Sequence, residues 1–144
     1  MRFMLVCLTA FYLQTAAASG QCISNGGFED GTQDWHPFWS RTNSGQAEVD
    51  CKIRHGGDCS MRLEHQGAED WSITSAKPHK VLPGQVYELT GWVRIEGKGT
   101  ATLGVALYDN QDHIIDWTLG GRTAQASKKW QHLHARFIIP DKGA

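Results

Sequence analysis

At 144 residues with a formal net charge of −1, the chain is long enough for one domain, too short for two, and lacks the basic excess of a nucleic-acid binder. Charged residues make up only 20% of it while tryptophan occurs six times, a balance that suits either an aromatic core or flat, hydroxylated ligands.

The chain opens with Met1 and Arg2, an apolar run over residues 3–13, and small residues at Ala16, Ala17, Ala18, Ser19 and Gly20. This is the pattern of a secretion signal, with domain boundaries at 1–20 and 21–144. The run is too short for a membrane span of ~20 residues, and nothing later is apolar enough for one. A lipid anchor at Cys22 is disfavoured by Gln21 in the preceding position. The expected location is therefore extracellular, with no membrane attachment once the signal is removed.

Asn25-Gly26-Gly27-Phe28-Glu29-Asp30-Gly31 follows, with Trp35 close behind. Asn-Gly-Gly is a strong turn signal and Phe28 is an apolar anchor. Glu29 and Asp30 beside glycine carbonyls offer oxygen ligands to a hard cation; alternatively they are ordinary turn residues. Trp35 and Trp39, in the long early loop, read as core plugs.

Cys7 leaves with the signal, so three cysteines remain. Cys51 and Cys59 flank a turn over 54–58 on two neighbouring strands and are expected to pair, which leaves Cys22 over. No Cys-x-x-Cys spacing supports a metal site.

Short alternating segments separated by glycine, proline and polar turns predict an all-β chain. Strands are expected over 47–54, 59–65, 71–76, 85–95, 100–108, 114–119 and 130–139, with turns at 55–57, 82–84, 97–99, 109–112 and 120–121. A period of two puts Tyr87, Leu89, Val93 and Ile95 inward and Glu88, Thr90, Trp92 and Arg94 outward. It puts Leu103, Val105 and Leu107 inward, and His132, His134 and Arg136 outward.

In order and spacing, the 25–30 opening, the 56–63 hairpin (Gly-Gly-Asp-Cys-Ser-Met-Arg-Leu), the 81–94 segment (Val-Leu-Pro-Gly-Gln-Val-Tyr-Glu-Leu-Thr-Gly-Trp-Val-Arg) and Trp130-Gln131-His132 resemble the CenC-type carbohydrate-binding modules of families 4, 9, 16 and 22. The resemblance implies a jelly-roll β-sandwich, galactose-binding-domain-like, whose concave sheet holds a glycan. Family members finish with a further strand carrying an Asp-Asp pair. This sequence ends at Ala144 before such a strand, so the fold is expected to lack its last strand.

The resemblance also implies a structural calcium held by Glu29, the carbonyl of Gly27 and the turn ending at Asp58. A glycan cleft needs aromatic faces beside polar side chains. Trp92 and Arg94 meet that need, with Gly104 and Ala106 leaving room on the next strand and Tyr108 bounding the gap. Trp71 stands where the family's cleft tryptophan often sits, and Trp117 supplies a second platform or a rim. The competing reading for Trp92 is that a loop covers it; that for the 132–136 face is plain solvation. Trp130 reads as a structural residue at a strand start.

Seven histidines and several aspartates do not assemble a catalytic motif: no Gly-x-Ser-x-Gly, His-Glu-x-x-His or phosphate-cradling loop is present. The expected function is a secreted, non-catalytic module that binds polysaccharide such as β-glucan or xylan and accompanies a downstream glycoside hydrolase domain. The alternative is an adhesion or structural β-sandwich without a sugar site.

Overall fold

Tyr87, Leu89, Val93 and Ile95 are each at most 1% exposed, so the alternation seen in the sequence marks a true core face. The structure, a computed structural model, describes residues 4–15 as backbone and residues 23–141 in full. The expected cleavage site at 16–20 and the leftover Cys22 lie outside the described residues.

Among the described residues the elements are all strands: β1 (Met4–Thr15), β2 (Trp39–Ser40), β3 (Gln46–Asp50), β4 (Ser60–His65), β5 (Trp71–Ser72), β6 (Val86–Tyr108) and β7 (Ile114–Ile138). They form a five-stranded sheet in the order β3-β4-β1-β6-β7 and a two-stranded sheet of β2 and β5. Every pairing is antiparallel. The all-β sandwich expected from the sequence is what forms.

Two pairs of expected strands are single long ones. β6 runs through the turn expected at 97–99, and β7 runs through that expected at 120–121. Gly97 and Gly99, at φ of 100° and 116°, bend the strand while it stays paired with β7, the pairing passing from Ile95 with Ser127 to Thr100 with Gln125. The β6–β7 ribbon then folds back over itself. Ala101 and Ala124 of its distal half pack with Val93, Ile95 and Leu133 of the proximal half. Leu103, Val105 and Leu119 pack on Tyr87, Leu89 and Ala135. The approach is close enough that a Cβ on Gly120 would lie 2.3 Å from the Phe137 ring.

This fold-back creates the second layer of the sandwich. Each of the large apolar side chains so buried contributes about 1.5–3 kcal/mol relative to exposure. β7 is an edge strand, and the guanidinium Nε of Arg122 donates to the His134 carbonyl at 3.2 Å, capping one acceptor on that side.

The apolar run read as a leader takes a place in the sheet. β1 bonds to β4 on one side and to β6 on the other, with Cys7 opposite both Arg62 and Arg94. An apolar stretch rich in β-formers is well suited to a central strand between two otherwise unpaired edges. Among the described residues β1 therefore links the β3–β4 hairpin to the β6–β7 ribbon in one sheet.

Candidate functional site

Asn25 organises the Asn-Gly-Gly-Phe loop. Its side-chain amide donates to the carbonyls of Gly31 (3.0 Å) and Gln33 (2.8 Å), and its Oδ1 accepts the Asp30 N–H at 3.1 Å. Its backbone carbonyl accepts the Trp35 indole N–H at 3.0 Å. With the loop closed, Phe28 points inward, fully buried, its ring 4.8 Å from that of Trp35. Trp35 is thus packed against the core, as expected.

Glu29 leaves the same loop in the other direction. Both carboxylate oxygens accept the Asp58 N–H, each at 3.1 Å. The fit requires glycine at 57, where a Cβ would stand 2.0 Å from Glu29 Oε1. Gly27 adjoins too, since its Cβ position lies 3.4 Å from the same oxygen. Glu29, Gly27 and the turn at Asp58 are therefore brought together. For calcium, which takes six to eight oxygens, this donor set is lean. Glu29 supplies the charge, and among the described residues no group of three His, Cys, Asp or Glu side chains gathers around a common point.

Cys51 and Cys59 form the expected disulfide across the β3–β4 hairpin. The loop that it closes lays His55 face to face on Trp92, with centroids 3.7 Å apart and planes 15° from parallel. Trp130 meets the edge of His55 at 5.6 Å. On the other side His132, the cross-strand neighbour of Trp92, stands 4.6 Å from the indole. Trp92 is therefore flanked by two imidazoles, and the reading in which a loop covers it is the one that the geometry favours. His55 is the residue that the sequence did not single out; a loop has no periodicity to place it.

Beyond Trp92 the outer face of the sheet is charged. Thr90 lies opposite His134, and Glu88 opposite Arg136. Glu88 approaches His134 Nε2 at 3.7 Å and Arg136 Nε at 3.8 Å, both longer than a hydrogen bond. Arg94 is committed to Glu96, and Arg62 to Glu48 and Glu64. No nucleophile–base pair or carboxylate pair suited to hydrolysis is seen among these contacts.

The remaining aromatic candidates lie elsewhere. Tyr108 and Trp117 are on the distal ribbon, 47% and 68% exposed, at the two strand ends joined by the 109–113 turn. Because the ribbon folds back, their layer is the one opposite the Trp92 sheet. This corrects the expectation that Gly104, Ala106 and Tyr108 line a cleft beside Trp92. Gly104 is small for another reason: a Cβ there would come within 3.1 Å of the Thr118 backbone.

Asp109 fixes the turn below Tyr108. Its Oδ1 accepts the N–H groups of Gln111 (2.8 Å) and His113 (2.9 Å). The His113 N–H chiefly, then that of Gln111, outweigh slight desolvation and hold the Asp109 carboxyl below its ordinary range. Asp116 accepts the Thr118 N–H in the same manner, at 2.7 Å.

Trp71 is half-buried at the margin of the core, stacked at 6.1 Å on Phe38 and 6.4 Å from His65. Trp39, read as a core plug, is instead 49% exposed, with the Arg41 guanidinium 6.0 Å from its ring centre. The five expected sugar contacts thus divide among three places: Trp71 at the core margin, Trp92 and Arg94 on the sheet, and Tyr108 and Trp117 on the ribbon.

The family model for the carbohydrate binding domain of the CBM 4/9 group matches residues 20–144. No curated protein and no solved structure matches the chain. The match covers the loop at 25–35, the disulfide hairpin and the entire β6–β7 ribbon, so the chain belongs to this family of non-catalytic carbohydrate-binding modules.

Proposed function

We propose that the chain is a secreted module that holds a polysaccharide on the distal ribbon, with Trp117 and Tyr108 as its stacking platforms, and so targets an attached glycoside hydrolase. The supporting observation is accessibility. A sugar ring stacks only on a free aromatic face, and Trp117 is the most exposed large apolar residue of the described chain. Trp92 has imidazoles on its flanks, and Trp71 is wedged against Phe38. Asp112 and Asn110 on the 109–113 turn, and Asp116, place acceptors and donors for hydroxyls near the platforms.

An open platform of this kind desolvates little of its ligand, so affinity falls in the range of roughly micromolar to millimolar. Affinity electrophoresis in gels containing β-glucan, xylan or mannan tests the reading. Retardation is expected, weakened about tenfold by Trp117→Ala, which corresponds to about 1.4 kcal/mol. Absence of retardation in all three gels would point to the adhesion reading instead. Hydrolysis of these glycans by the purified chain would overturn the non-catalytic assignment.

Calcium belongs to the same proposal in a structural role. An ion held by Glu29 and the Gly27 carbonyl would take the place of the Asp58 N–H as the carboxylate's partner. It would pin the 25–35 loop to the disulfide hairpin, away from the sugar.

A further inference from the structure

We infer that the outer face of β7 is a second glycan surface, selective for polysaccharides that carry carboxylates, as in uronic acids. The inference rests on the reading of the chain as a polysaccharide binder and adds a second ligand class to it.

The two surfaces differ in charge. The ribbon turn carries Asp109 and Asp112 with Asp116 nearby, and the one basic group among them, His113, is already bonded to Asp109. Anionic sugar is repelled there, and neutral hydroxyls are favoured. On β7 the outward positions read Trp130, His132, His134 and Arg136, and the sole carboxylate directly opposite them is Glu88.

Glu88 does not hydrogen-bond either of its cationic neighbours, standing 3.7 Å from His134 and 3.8 Å from Arg136. Arg136 is also the most exposed arginine of this face, its side chain 63% accessible, whereas Arg62 and Arg94 are tied to glutamates. Its planar fork of N–H donors is thus open to a carboxylate in two-point geometry.

Spacing supports a chain-like ligand. The rings of His132 and His134 are parallel within 4°, their centroids 6.3 Å apart, and lie in sequence from the Trp92 stack toward Arg136 along β7. A series of spaced imidazole donors and acceptors ending in a guanidinium matches a sugar chain with hydroxyls along its length and an acid group at intervals. General attraction is not the cause, because the whole chain is net −1 and repels polyanions in bulk.

Affinity electrophoresis of the whole chain in polygalacturonate and, separately, in β-glucan or xylan tests this. Polygalacturonate is expected to retard migration, an effect weakened by salt. The double variant His134→Ala/Arg136→Ala should abolish it, and Arg136→Lys alone should weaken it severalfold. Trp117→Ala should leave it intact while reducing retardation by the neutral glycan. Lack of retardation in polygalacturonate, or retardation that survives the double variant, overturns the inference; if neutral glycan still retards the chain in either case, the ribbon reading stands. Neutral glycan failing alone sinks the ribbon reading and not this one. The altered residues are exposed, and an unchanged thermal melt verifies that each variant is folded.

Discussion

Glu29 and Asp58, 29 positions apart, are joined by a carboxylate whose two oxygens converge on one backbone N–H. Gly57→Ala should expel that carboxylate, because its Cβ would occupy the oxygen's place, and the strained φ of +68° adds to the cost. Glu29→Ala and Gly57→Ala are each expected to destabilise by about 1 kcal/mol or more through loss of this contact. Since both break the same clasp, the double variant should cost less than the sum of the two, and a denaturant-unfolding cycle measures the shortfall.

The calcium proposal makes its own prediction. Calcium should raise the melting temperature of the wild-type chain, a chelator should reverse the rise, and Glu29→Gln should lose it. Identical melting in calcium and chelator would leave the clasp as a hydrogen-bonded contact alone.

Reduction of the Cys51–Cys59 bridge should cost about 2.5 kcal/mol, the chain-entropy value for so short a loop. It should also release His55 from Trp92. The change in indole fluorescence on reduction is expected to disappear in Trp92→Phe, whereas a change that persists would place its origin at another tryptophan.

How much of this was readable from the residues differs from place to place. The inward face of Tyr87 to Ile95 follows from alternation alone, and the disulfide follows from two cysteines flanking one turn. The fold-back of the ribbon does not, because glycine at 97 and 99 serves a bend within a strand as readily as a turn between two. That single ambiguity moved Tyr108 to the opposite layer from Trp92. His55 was invisible for a different reason: its place is set by a cross-link and by a strand 37 residues further on, not by its neighbours in sequence.

Asp109 gives the ribbon turn an acid limit. Its folded pKa lies below the unfolded value of about 4, so its contribution is fully present above that value and is lost as pH falls through the lower, folded one. The stability difference between wild type and Asp109→Asn should therefore be present at neutral pH and narrow as pH falls below about 4. Thermal melts at falling pH check it, and a gap that does not narrow at all below about pH 4 would contradict it.

A version beginning at residue 21 removes β1 from between β4 and β6. Hydrogen exchange should accelerate at those amides of β4 and β6 that are bonded to β1, and less so in the β6–β7 pairing. Equal protection in the two forms would show that the sheet holds without β1.

β1 also has a directional consequence. It is antiparallel to both β4 and β6, so those two strands run parallel to each other. The family match begins at residue 20, behind this strand. Without β1, β4 and β6 cannot rejoin as a hairpin would; they can meet only as a parallel pair, or around some other strand opposed to both. On the leader reading, export machinery and the folding sheet therefore compete for the same twelve residues. Which of them takes hold first decides whether the β3–β4 hairpin and the β6–β7 ribbon are assembled as one sheet or as two pieces held together across the core.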